Sequence, residues 1–546
     1  MKIVKTIFLT AAVAAILTSC SSLKNMAVPT METKVSMVAK NKPLTEDQFN
    51  HWAHKDLVTD TVPGMSLDKA YKFLEGKKGV TVIVGVIDSG IDIEHEDLKE
   101  VLWMNEKEIA GNGIDDDKNG YVDDIYGWNF LGGNGVDAPE QLEITRLYAP
   151  LHVRFEGKSK GDVNAEDLGD FEKYLEYLEA FKASSARHFQ TMDRLSQLES
   201  MFSAVKKFIG KEELTIDDLN NATTEDELLK AQIKELSGLM SRGFDEKAFV
   251  EYYETQKKNK NYDLNFDGRA IVGDNPNDIT DVKYGNGNVI GSKEIESHGT
   301  HVSGIILAKR NNGIGMNGVA HNAKLMSVRA VPDGDERDKD VALAIRYAVD
   351  NGAKVINMSF GKSFSPQRHW VFDAIKYAQE KDVLLVHAAG NDAKNIDVSN
   401  NWPNDSMDKV TEIADNVLTV GAMSVSNNEN ITATFTNYGK LNVDVYAPGV
   451  QIYSTVPKNE YARYNGTSMA SPEVAGVATL VRSYYPQLSA SQVKHIIMNS
   501  STKFDMVVLV PGKNTEKAKL TDISISGGVV NAYNALVLAD KMVNKK

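Results

Sequence analysis

The sequence contains a single cysteine, Cys20, among 546 residues. No disulfide can therefore form within the chain. Basic residues are outnumbered by acidic ones, and a formal net charge of -14 makes nucleic acid a poor partner. The rest of the composition, 42% apolar and 25% charged, is ordinary for a soluble globular protein, and the length suffices for one large domain with additions.

The start of the chain, residues 1–19, predicts an export signal. A basic beginning is followed by an apolar stretch, Ile7–Ile16, which is too short to span a bilayer as a permanent helix. The next residues, Leu17-Thr18-Ser19-Cys20, resemble a bacterial lipobox, which implies cleavage before Cys20 and lipidation of its sulfur. Because Ser21 follows, we expect an outer-membrane lipoprotein that faces the periplasm or the cell surface. A plain secretory signal is the alternative.

An alternation of strand and helix patterns predicts one large α/β domain over residues 50–540, after a polar, unpatterned tether over residues 20–49. Val80–Ile87 is a continuous β-branched apolar run, typical of a strand buried on both faces of a parallel sheet. Strand patterns recur at 324–328, 354–359 and 383–388, separated by helix patterns at 340–351 and 367–380. We therefore expect a doubly wound, mainly parallel sheet.

One stretch near the end of the chain has the composition of a nucleophile site. Residues 465–476 read Asn-Gly-Thr-Ser-Met-Ala-Ser-Pro-Glu-Val-Ala-Gly. Pro472 suits the first turn of a helix, which would place Ser468 at the helix N-terminus. The helix dipole there favours a reaction that builds negative charge on the serine. An ordinary capping serine is the alternative.

This stretch resembles the nucleophile motif of the subtilisin-like serine proteases, or subtilases. Two further motifs strengthen the resemblance: Val-Ile-Asp-Ser-Gly-Ile-Asp around Asp88 and Ser-His-Gly-Thr-His-Val-Ser-Gly around His298. Their order, Asp then His then Ser, is that of subtilases. The resemblance covers residues 50–131 and 286–540 and implies a triad in which Asp88 is the acid, His298 the base and Ser468 the nucleophile.

Two predicted strand ends extend the resemblance to substrate binding. They read Asn-Met-Ser-Phe-Gly at 357–361 and His-Ala-Ala-Gly-Asn at 387–391. In subtilases such segments form the two walls of the S1 pocket, and the final asparagine of the second segment stabilises the oxyanion. The resemblance thus implies Asn391 as the oxyanion donor and these wall residues: Ser359, Phe360, Gly361, Ala388, Ala389 and Gly390.

The acidic loop 113–124 predicts a structural calcium site. Alternating aspartate and asparagine side chains are followed by Gly120, as in the first half of an EF-hand loop, and calcium takes such hard oxygen ligands. Five aspartates within ten residues would repel each other without a cation, although a solvated acidic turn is the alternative. The predicted ligands are Asp115, Asp117, Asn119, Tyr121 and Asp124.

Residues 132–285 depart from the subtilase pattern and predict an inserted α-helical subdomain. Between Gly169 and Gly210 neither glycine nor proline occurs, and apolar residues recur at steps of mostly three or four. Further helices are predicted near 225–240 and 245–258. The insertion separates the presumed acid and base, so we hypothesise that it restricts access or recruits a substrate. The alternative is a unit that only packs on itself.

The resemblance implies a serine endopeptidase that hydrolyses protein or peptide substrates through a covalent acyl-enzyme, without a cofactor for catalysis. Too few residues lie between Cys20 and the first predicted strand for an inhibitory prodomain, so we expect none. Two other classes stay open. One is a catalytically silent surface lipoprotein that docks a partner, and the other is a metallohydrolase built on His298 and His301.

Overall fold

A twisted parallel sheet organises the molecule, for which we use a computed structural model that describes residues 26–36, 43–132, 138–294 and 296–544. In these residues the strands are β1 Lys34–Val35, β2 Val82–Asp88, β3 Gly127–Asn129, β4 Ala323–Arg329, β5 Ala353–Met358, β6 Leu384–Ala388, β7 Val417–Met423, β8 Val445–Pro448, β9 Ile452–Val456, β10 Glu460–Tyr464, β11 Thr502–Phe504, β12 Val507–Leu509, β13 Lys517–Lys519 and β14 Gly528–Val529.

The helices follow the same chain order. They are α1 Glu46–Asn50, α2 Leu67–Leu74, α3 Glu143–Phe155, α4 Leu168–Ile209, α5 Ile216–Asn221, α6 Glu227–Met240, α7 Glu246–Lys258, α8 Arg269–Val272, α9 His298–Leu307, α10 Asp338–Asp350, α11 Arg368–Glu380, α12 Thr467–Tyr484, α13 Ala490–Ser500 and α14 Ala532–Val543. No helix in the described ranges combines the length and apolarity that crossing a bilayer requires.

The strand order of the main sheet is β1-β11-β14-β8-β7-β6-β5-β2-β4-β3. All neighbours pair in parallel except β11 and β14. Side chains of β2 alternate between two buried clusters: Val84 and Val86 lie in the cluster that contains α9 and α12, and Ile87 lies in the cluster of α10 and α11. Helices therefore cover both faces, which confirms the predicted doubly wound α/β fold.

The chain forms two compact units, one of Met1–Ala138 with Asp267–Lys546 and the other of Pro139–Phe266. The helical unit is thus narrower than the predicted insertion, 132–285. Residues 267–285 belong to the sheet unit because buried charges hold them there. Arg269 and Lys339 both pair with Asp274, and Arg269 donates to Asp340 over 2.8 Å.

The predicted tether, residues 20–49, is partly built into the sheet unit. Residues 34–35 add strand β1 to the sheet edge, and the main chain at Met31 donates to Asn499 over 3.1 Å. Helix α1 begins after Thr45, whose side chain caps it. The contacts of residues 31–35 use the main chain, so they leave no apolar periodicity in the sequence. The predicted signal and Cys20 lie outside the described residues.

The unit Pro139–Phe266 contains helices α3 to α7. The prediction of a long helix between Gly169 and Gly210 is confirmed by α4, which runs for 42 residues and includes Gly169 in its first turn. Near its beginning, α4 contributes Tyr174, which stacks on Tyr148 of α3, and Phe171, which packs edge-to-face against Phe155 of α3. Near its end, Phe202 and Val205 are buried in a second cluster with Leu236 of α6 and Phe249 of α7. The unit thus has its own apolar cores.

Candidate active site

Ser468 occupies the second position of helix α12, whose N-cap is Gly466. The Ser468 Oγ donates a hydrogen bond to the carbonyl of Ser359 over 3.1 Å, and the Ser359 hydroxyl donates to the carbonyl of Ser468 over 2.9 Å. The helix start is therefore fixed against the end of β5. Its first N–H groups and the helix dipole favour negative charge at this point.

Asp88 and His298 are 210 residues apart in the chain and are directly hydrogen-bonded in the structure. The Asp88 Oδ1 lies 2.8 Å from His298 Nδ1, and it also accepts the N–H of Ser89. Asp88 is the last residue of β2, and His298 is the first residue of α9. Gly299 permits this approach, since a Cβ there would lie 2.2 Å from the carbonyl oxygen of Gly90.

The Asp88 side chain is 1% exposed, whereas the His298 side chain is 40% exposed. Burial alone would lower the pKa of His298, but the charge and the hydrogen bond of Asp88 outweigh it and raise this pKa. An imidazolium at His298 is thus stabilised. Because Nδ1 is engaged with the carboxylate, the free nitrogen is Nε2, which is the atom a general base would use.

The His298 segment and the Ser468 segment are tied together by their neighbours. The hydroxyl groups of Ser297 and Tyr464 lie 2.8 Å apart. Within the described residues, however, no hydrogen bond joins Ser468 Oγ to His298, because that hydroxyl is engaged with Ser359. Catalytic hydrogen bonds are often loose before substrate binds. For Ser468 Oγ to donate to His298, its side chain would have to rotate away from the carbonyl of Ser359.

Asn391 follows strand β6 and is anchored to the start of α12. Its Oδ1 accepts both the main-chain N–H of Thr467, over 2.9 Å, and the hydroxyl of Thr467, over 3.0 Å. The same hydroxyl accepts the N–H of Gly390 over 3.0 Å. Both bonds to Asn391 use the carbonyl oxygen of its amide, so the Nδ2 group keeps its two donors for another partner. This arrangement suits an oxyanion donor beside Ser468.

The predicted pocket walls extend from the ends of β5 and β6. Because the strands are adjacent and parallel, Ser359, Phe360 and Gly361 lie beside Ala388, Ala389 and Gly390. A residue that the sequence did not single out, Asn401, lies near both walls. A Cβ on either glycine of the walls would lie 3.2 Å from its Oδ1. Only the fold could identify this asparagine, because its sequence context carries no motif.

Two other histidines near the site are buried and neutral. His301 is fully buried, its Nε2 lies 3.1 Å from the carbonyl oxygen of Ala462, and burial lowers its pKa to about 3. Burial lowers the pKa of His387 to about 4, and its Nε2 bonds the carbonyl of Phe360. The ring of His301 stacks on Tyr464, as expected of a structural neighbour of the base.

The acidic loop brings together three carboxylates, and one of them was not predicted. Oxygens of Glu108, Asp115 and Asp117 all lie within 4.8 Å of one another. Such a set of hard oxygen donors fits a calcium ion. Glu108 precedes the EF-like stretch, so the loop spacing gave no sign of it. Its carboxylate accepts main-chain N–H groups of the loop, including that of Asp116 over 2.8 Å.

Asp124, which was predicted as a ligand, faces a different set of partners. It is fully buried and accepts hydrogen bonds from Asn105, Asn119 and Tyr347. Burial raises its pKa. The amide of Asn119 is thereby turned to Asp124, while its Oδ1 accepts the N–H of Tyr121. Of the predicted ligands, Asp115 and Asp117 lie with Glu108. Asp124 instead stabilises the loop through the hydrogen bonds that it accepts from Asn105, Asn119 and Tyr347.

Comparisons with known proteins show the family to which the chain belongs. A family model described as the subtilase family (Peptidase_S8) matches residues 79–521. The chain is 41% identical over 191 residues to a thermophilic serine proteinase of Bacillus sp. (strain AK1), which covers 35% of this chain and 43% of that protein. It is 37% identical over 240 residues to thermitase of Thermoactinomyces vulgaris, covering 44% of this chain and 74% of thermitase.

A solved structure of a protease from Pseudoalteromonas arctica aligns over 91% of this chain and 99% of its own, with 20% identity and a TM-score of 0.46. The sequence matches are shorter. The chain spans about half the length, or less, of the thermophilic serine proteinase and of an alkaline elastase from Bacillus sp. (strain YaB), with 43% and 50% of those proteins covered.

Proposed function

Because the chain belongs to the subtilase family, we propose that it is a serine endopeptidase that hydrolyses peptide bonds in proteins or peptides. The observation that carries the proposal is the hydrogen bond of 2.8 Å between Asp88 and His298. It lies at the carboxyl end of β2, and Ser468 lies in the first turn of α12 with Asn391 anchored to the start of that helix. Parallel α/β sheets place their sites at the carboxyl ends of strands.

Acyl transfer would proceed through Ser468. Its Oγ attacks the carbonyl carbon of the scissile bond while its proton passes to Nε2 of His298. Asp88 keeps the proton on Nδ1 and stabilises the imidazolium. His298 then donates its Nε2 proton to the leaving amine, which departs and leaves an acyl ester on Ser468. Water, deprotonated by His298, hydrolyses that ester and restores the hydroxyl.

The oxyanion would be held by two donors. The Nδ2 group of Asn391 and the main-chain N–H of Ser468 at the start of α12 both lie at the same helix terminus, where the dipole also favours negative charge. Thr467 fixes the Asn391 amide through two hydrogen bonds to its Oδ1. The donor is therefore oriented before the reaction begins, which avoids a reorganisation cost in the transition state.

Substrate would bind between the two walls. Main chain at residues 359–361 would pair with the substrate backbone, and the P1 side chain would enter between this segment and residues 388–390. The Asn401 amide lies close to both walls. Neither of its side-chain atoms bonds another described residue, so it offers a donor and an acceptor to a P1 side chain. We expect it to limit P1 size and to favour polar groups.

Calcium would stabilise the acidic loop in the connection between β2 and β3. Asp115, Asp117 and Glu108 would supply carboxylate oxygens, while Asn119, Tyr121 and Asp124 would shape the loop around them. The ion would neutralise three converging negative charges. Its role would be structural, since none of these residues belongs to the proposed catalytic groups.

The protein would act outside the cytoplasm as an outer-membrane lipoprotein, anchored through lipid on Cys20. Support comes from the sequence alone: the short apolar stretch and the Leu-Thr-Ser-Cys that ends it. Radiolabelled palmitate incorporation into wild type, with none into Cys20→Ala, tests the anchor. Equal incorporation into both proteins would contradict it.

The helical unit would set the substrate range, because it enters the chain between Asp88 and His298. Replacement of residues 139–266 by a short linker tests this role. The unit has its own apolar clusters, so its removal should leave the sheet unit folded. We expect a change in the pattern of cleavage of a peptide library, and an unchanged pattern would remove this role.

Labelling with a fluorophosphonate tests the proposed chemistry. Intact-mass analysis should show one adduct on wild type and none on Ser468→Ala. Ser471 serves as a matched control, because it lies on the same helix but is buried, and Ser471→Ala should keep the label. Folded wild type without an adduct would instead favour a catalytically silent lipoprotein. Activity that survives Ser468→Ala and requires a metal would favour a metallohydrolase.

A further inference from the structure

A second cleft, of about 340 Å³, lies at the end of the sheet opposite the proposed active site. Thr81, just before β2, and Ala323, the first residue of β4, line it. Helix α9, which begins at His298, ends at this cleft with Leu307. The cleft has the volume of a small-molecule site, and none of its lining residues belongs to the groups proposed for catalysis.

Arg310 lines this cleft and is a partly buried cation that forms no ion pair with the described residues. Its guanidinium stacks on the ring of Tyr71, 3.9 Å from the centroid, and its Nη1 donates to the carbonyl of Gly318. Within the described residues its Nε–H has no acceptor, and no carboxylate lies within ion-pair distance of it. Burial lowers the pKa of Arg310, and this effect outweighs the opposing influence of Tyr71 and of the charge of Asp68.

The other charges at the cleft are also mainly positive. Lys309 and Lys324 line it; Lys309 pairs with Glu100 over 3.2 Å, and Lys324 donates to the main-chain carbonyl of Glu100. Burial and the charge of Arg310 lower the pKa of His321, which is therefore neutral at pH 7. Among the residues that line the cleft, three cationic side chains thus accompany one carboxylate. The cleft is therefore locally positive, although the net charge of the whole chain is -14.

The end of helix α9 does not offset this positive charge. The carbonyls of Ile305 and Ile306 accept hydrogen bonds from the N–H groups of Val319 and Ala320. The partial negative charge of the helix terminus is therefore already matched by main-chain donors. Arg310 retains unbonded N–H groups in the planar fork that suits carboxylate and phosphate oxygens.

We propose that this cleft binds an oxyanion, either a phosphate or the free carboxylate of a peptide, through the guanidinium of Arg310. Lys309 and Lys324 would add long-range attraction. The ligand would pair with a partly buried cation that has no ion-pair partner among the described residues, so binding would stabilise the folded state. The site is distinct from the proposed catalytic centre, and the proposal does not depend on proteolytic activity.

Titration calorimetry at pH 7 and constant ionic strength tests the proposal, on full-length Ser468→Ala protein so that self-digestion cannot interfere. The probes are inorganic phosphate, an acetylated tripeptide with a free carboxylate, and the same tripeptide as its amide. We expect saturable binding of phosphate, of the free-acid peptide or of both, and none of the amide. Arg310→Gln should weaken binding at least tenfold.

The matched control is Arg346→Gln. Arg346 also stacks on a tyrosine, 4.8 Å from the ring centroid of Tyr377, but does not line the cleft, so binding should be unchanged. Absence of saturable binding to the parent protein, or equal affinity after Arg310→Gln, would overturn the proposal. Binding of phosphate alone or of the peptide alone would identify the source of the oxyanion.

If Arg310→Gln does not fold, the double variant Lys309→Gln/Lys324→Gln replaces it, since both lysines lie at the rim. Its affinity should fall several-fold. Thermal unfolding gives a second readout, because a ligand at ten times its Kd multiplies the folding constant about elevenfold. A melting temperature that phosphate and the free-acid peptide both leave unchanged at such concentrations would contradict binding to the folded state.

Discussion

Replacement of Glu473 by glutamine should stabilise the protein increasingly as pH rises. Glu473 lies on α12, five residues after Ser468, and is 2% exposed. Its Oε2 has no hydrogen-bond partner within the described part of the chain. Burial raises the pKa of Glu473 well above its usual value, which favours the protonated carboxyl in the folded protein.

The magnitude follows from proton linkage. In the unfolded chain Glu473 has a pKa of about 4.3. Because the folded pKa is higher, the stabilisation from holding the proton is fully present below the unfolded pKa. It is lost by about 1.4 kcal/mol per pH unit as pH rises toward the folded pKa. The loss accumulates with each pH unit until the folded pKa is reached.

Glutamine has nearly the same shape but does not titrate, so Glu473→Gln avoids this loss. Its amide carries its own desolvation cost, which does not depend on pH. The cavity beside the carboxyl, lined also by His54 and Tyr453, has a volume of about 10 Å³, at the lower limit for one water. The prediction therefore concerns the slope: the difference in unfolding free energy should grow by about 1.4 kcal/mol per unit between pH 5 and 7.

Denaturant unfolding at pH 5, 6 and 7, in a Ser468→Ala background that prevents self-digestion, measures this difference. Glu460→Gln is the control, because Glu460 is exposed on β10 and folding does not remove its side chain from water. A difference for Glu473→Gln that stays constant from pH 5 to 7 would refute the reasoning, since it would mean that the buried carboxylate is ionised in the folded state.

Four further predictions concern the site and the acidic loop. Asn391→Ala should lower kcat about 100- to 1000-fold with little change in KM, a magnitude carried over from another subtilase; a near-normal kcat would remove the oxyanion role. Because Asp88 raises the pKa of His298, kcat/KM should fall as pH drops through a value above 6.5, and a flat acid limb would contradict this. Glu108→Gln should weaken calcium binding, measured by calorimetry, at least tenfold, whereas Glu106→Gln, on an exposed neighbour, should not. Asn401→Gly should shift P1 preference toward larger side chains by about tenfold in kcat/KM on a peptide series, and an unaltered preference would exclude it from the pocket.

The sheet and the proposed triad could be predicted because their signals are local. Continuous β-branched runs predicted the central strands, and the observed β2, β4, β5 and β6 agree with the predicted bounds within one or two residues. Each residue of the proposed triad stands in its own short motif. Their separation along the chain is then unimportant, because the carboxyl ends of parallel strands lie together at one end of the sheet.

Residues that act through long-range packing left no comparable signal. Glu108 joins the acidic loop from before its motif, and Asn401 reaches the pocket walls from a loop without any motif. Residues 26–36 look like a tether because they are held mainly by main-chain hydrogen bonds, which do not depend on side-chain pattern. The Lys339–Asp274 ion pair, which holds residues after 266 in the sheet unit, likewise could not be predicted from the sequence, because its partners are far apart in the chain.

The insertion of residues 139–266 is compatible with an intact Asp88–His298 pair, because contacts outside the insertion position each of these two residues. Asp88 is placed by β2, which pairs with β4 along its whole length and with β5 from Ile83 to Ile87. His298 is placed by α9, which packs on the same apolar cluster as α12. None of these contacts involves residues 139–266.

The entropy of closing the intervening loop grows only logarithmically, by about 0.6 kcal/mol per doubling of length. The helical unit also buries its own apolar side chains, so its ordering does not draw on the stability of the sheet unit. The distance of 2.8 Å between Asp88 and His298 is therefore set by the sheet and not by the chain that connects them.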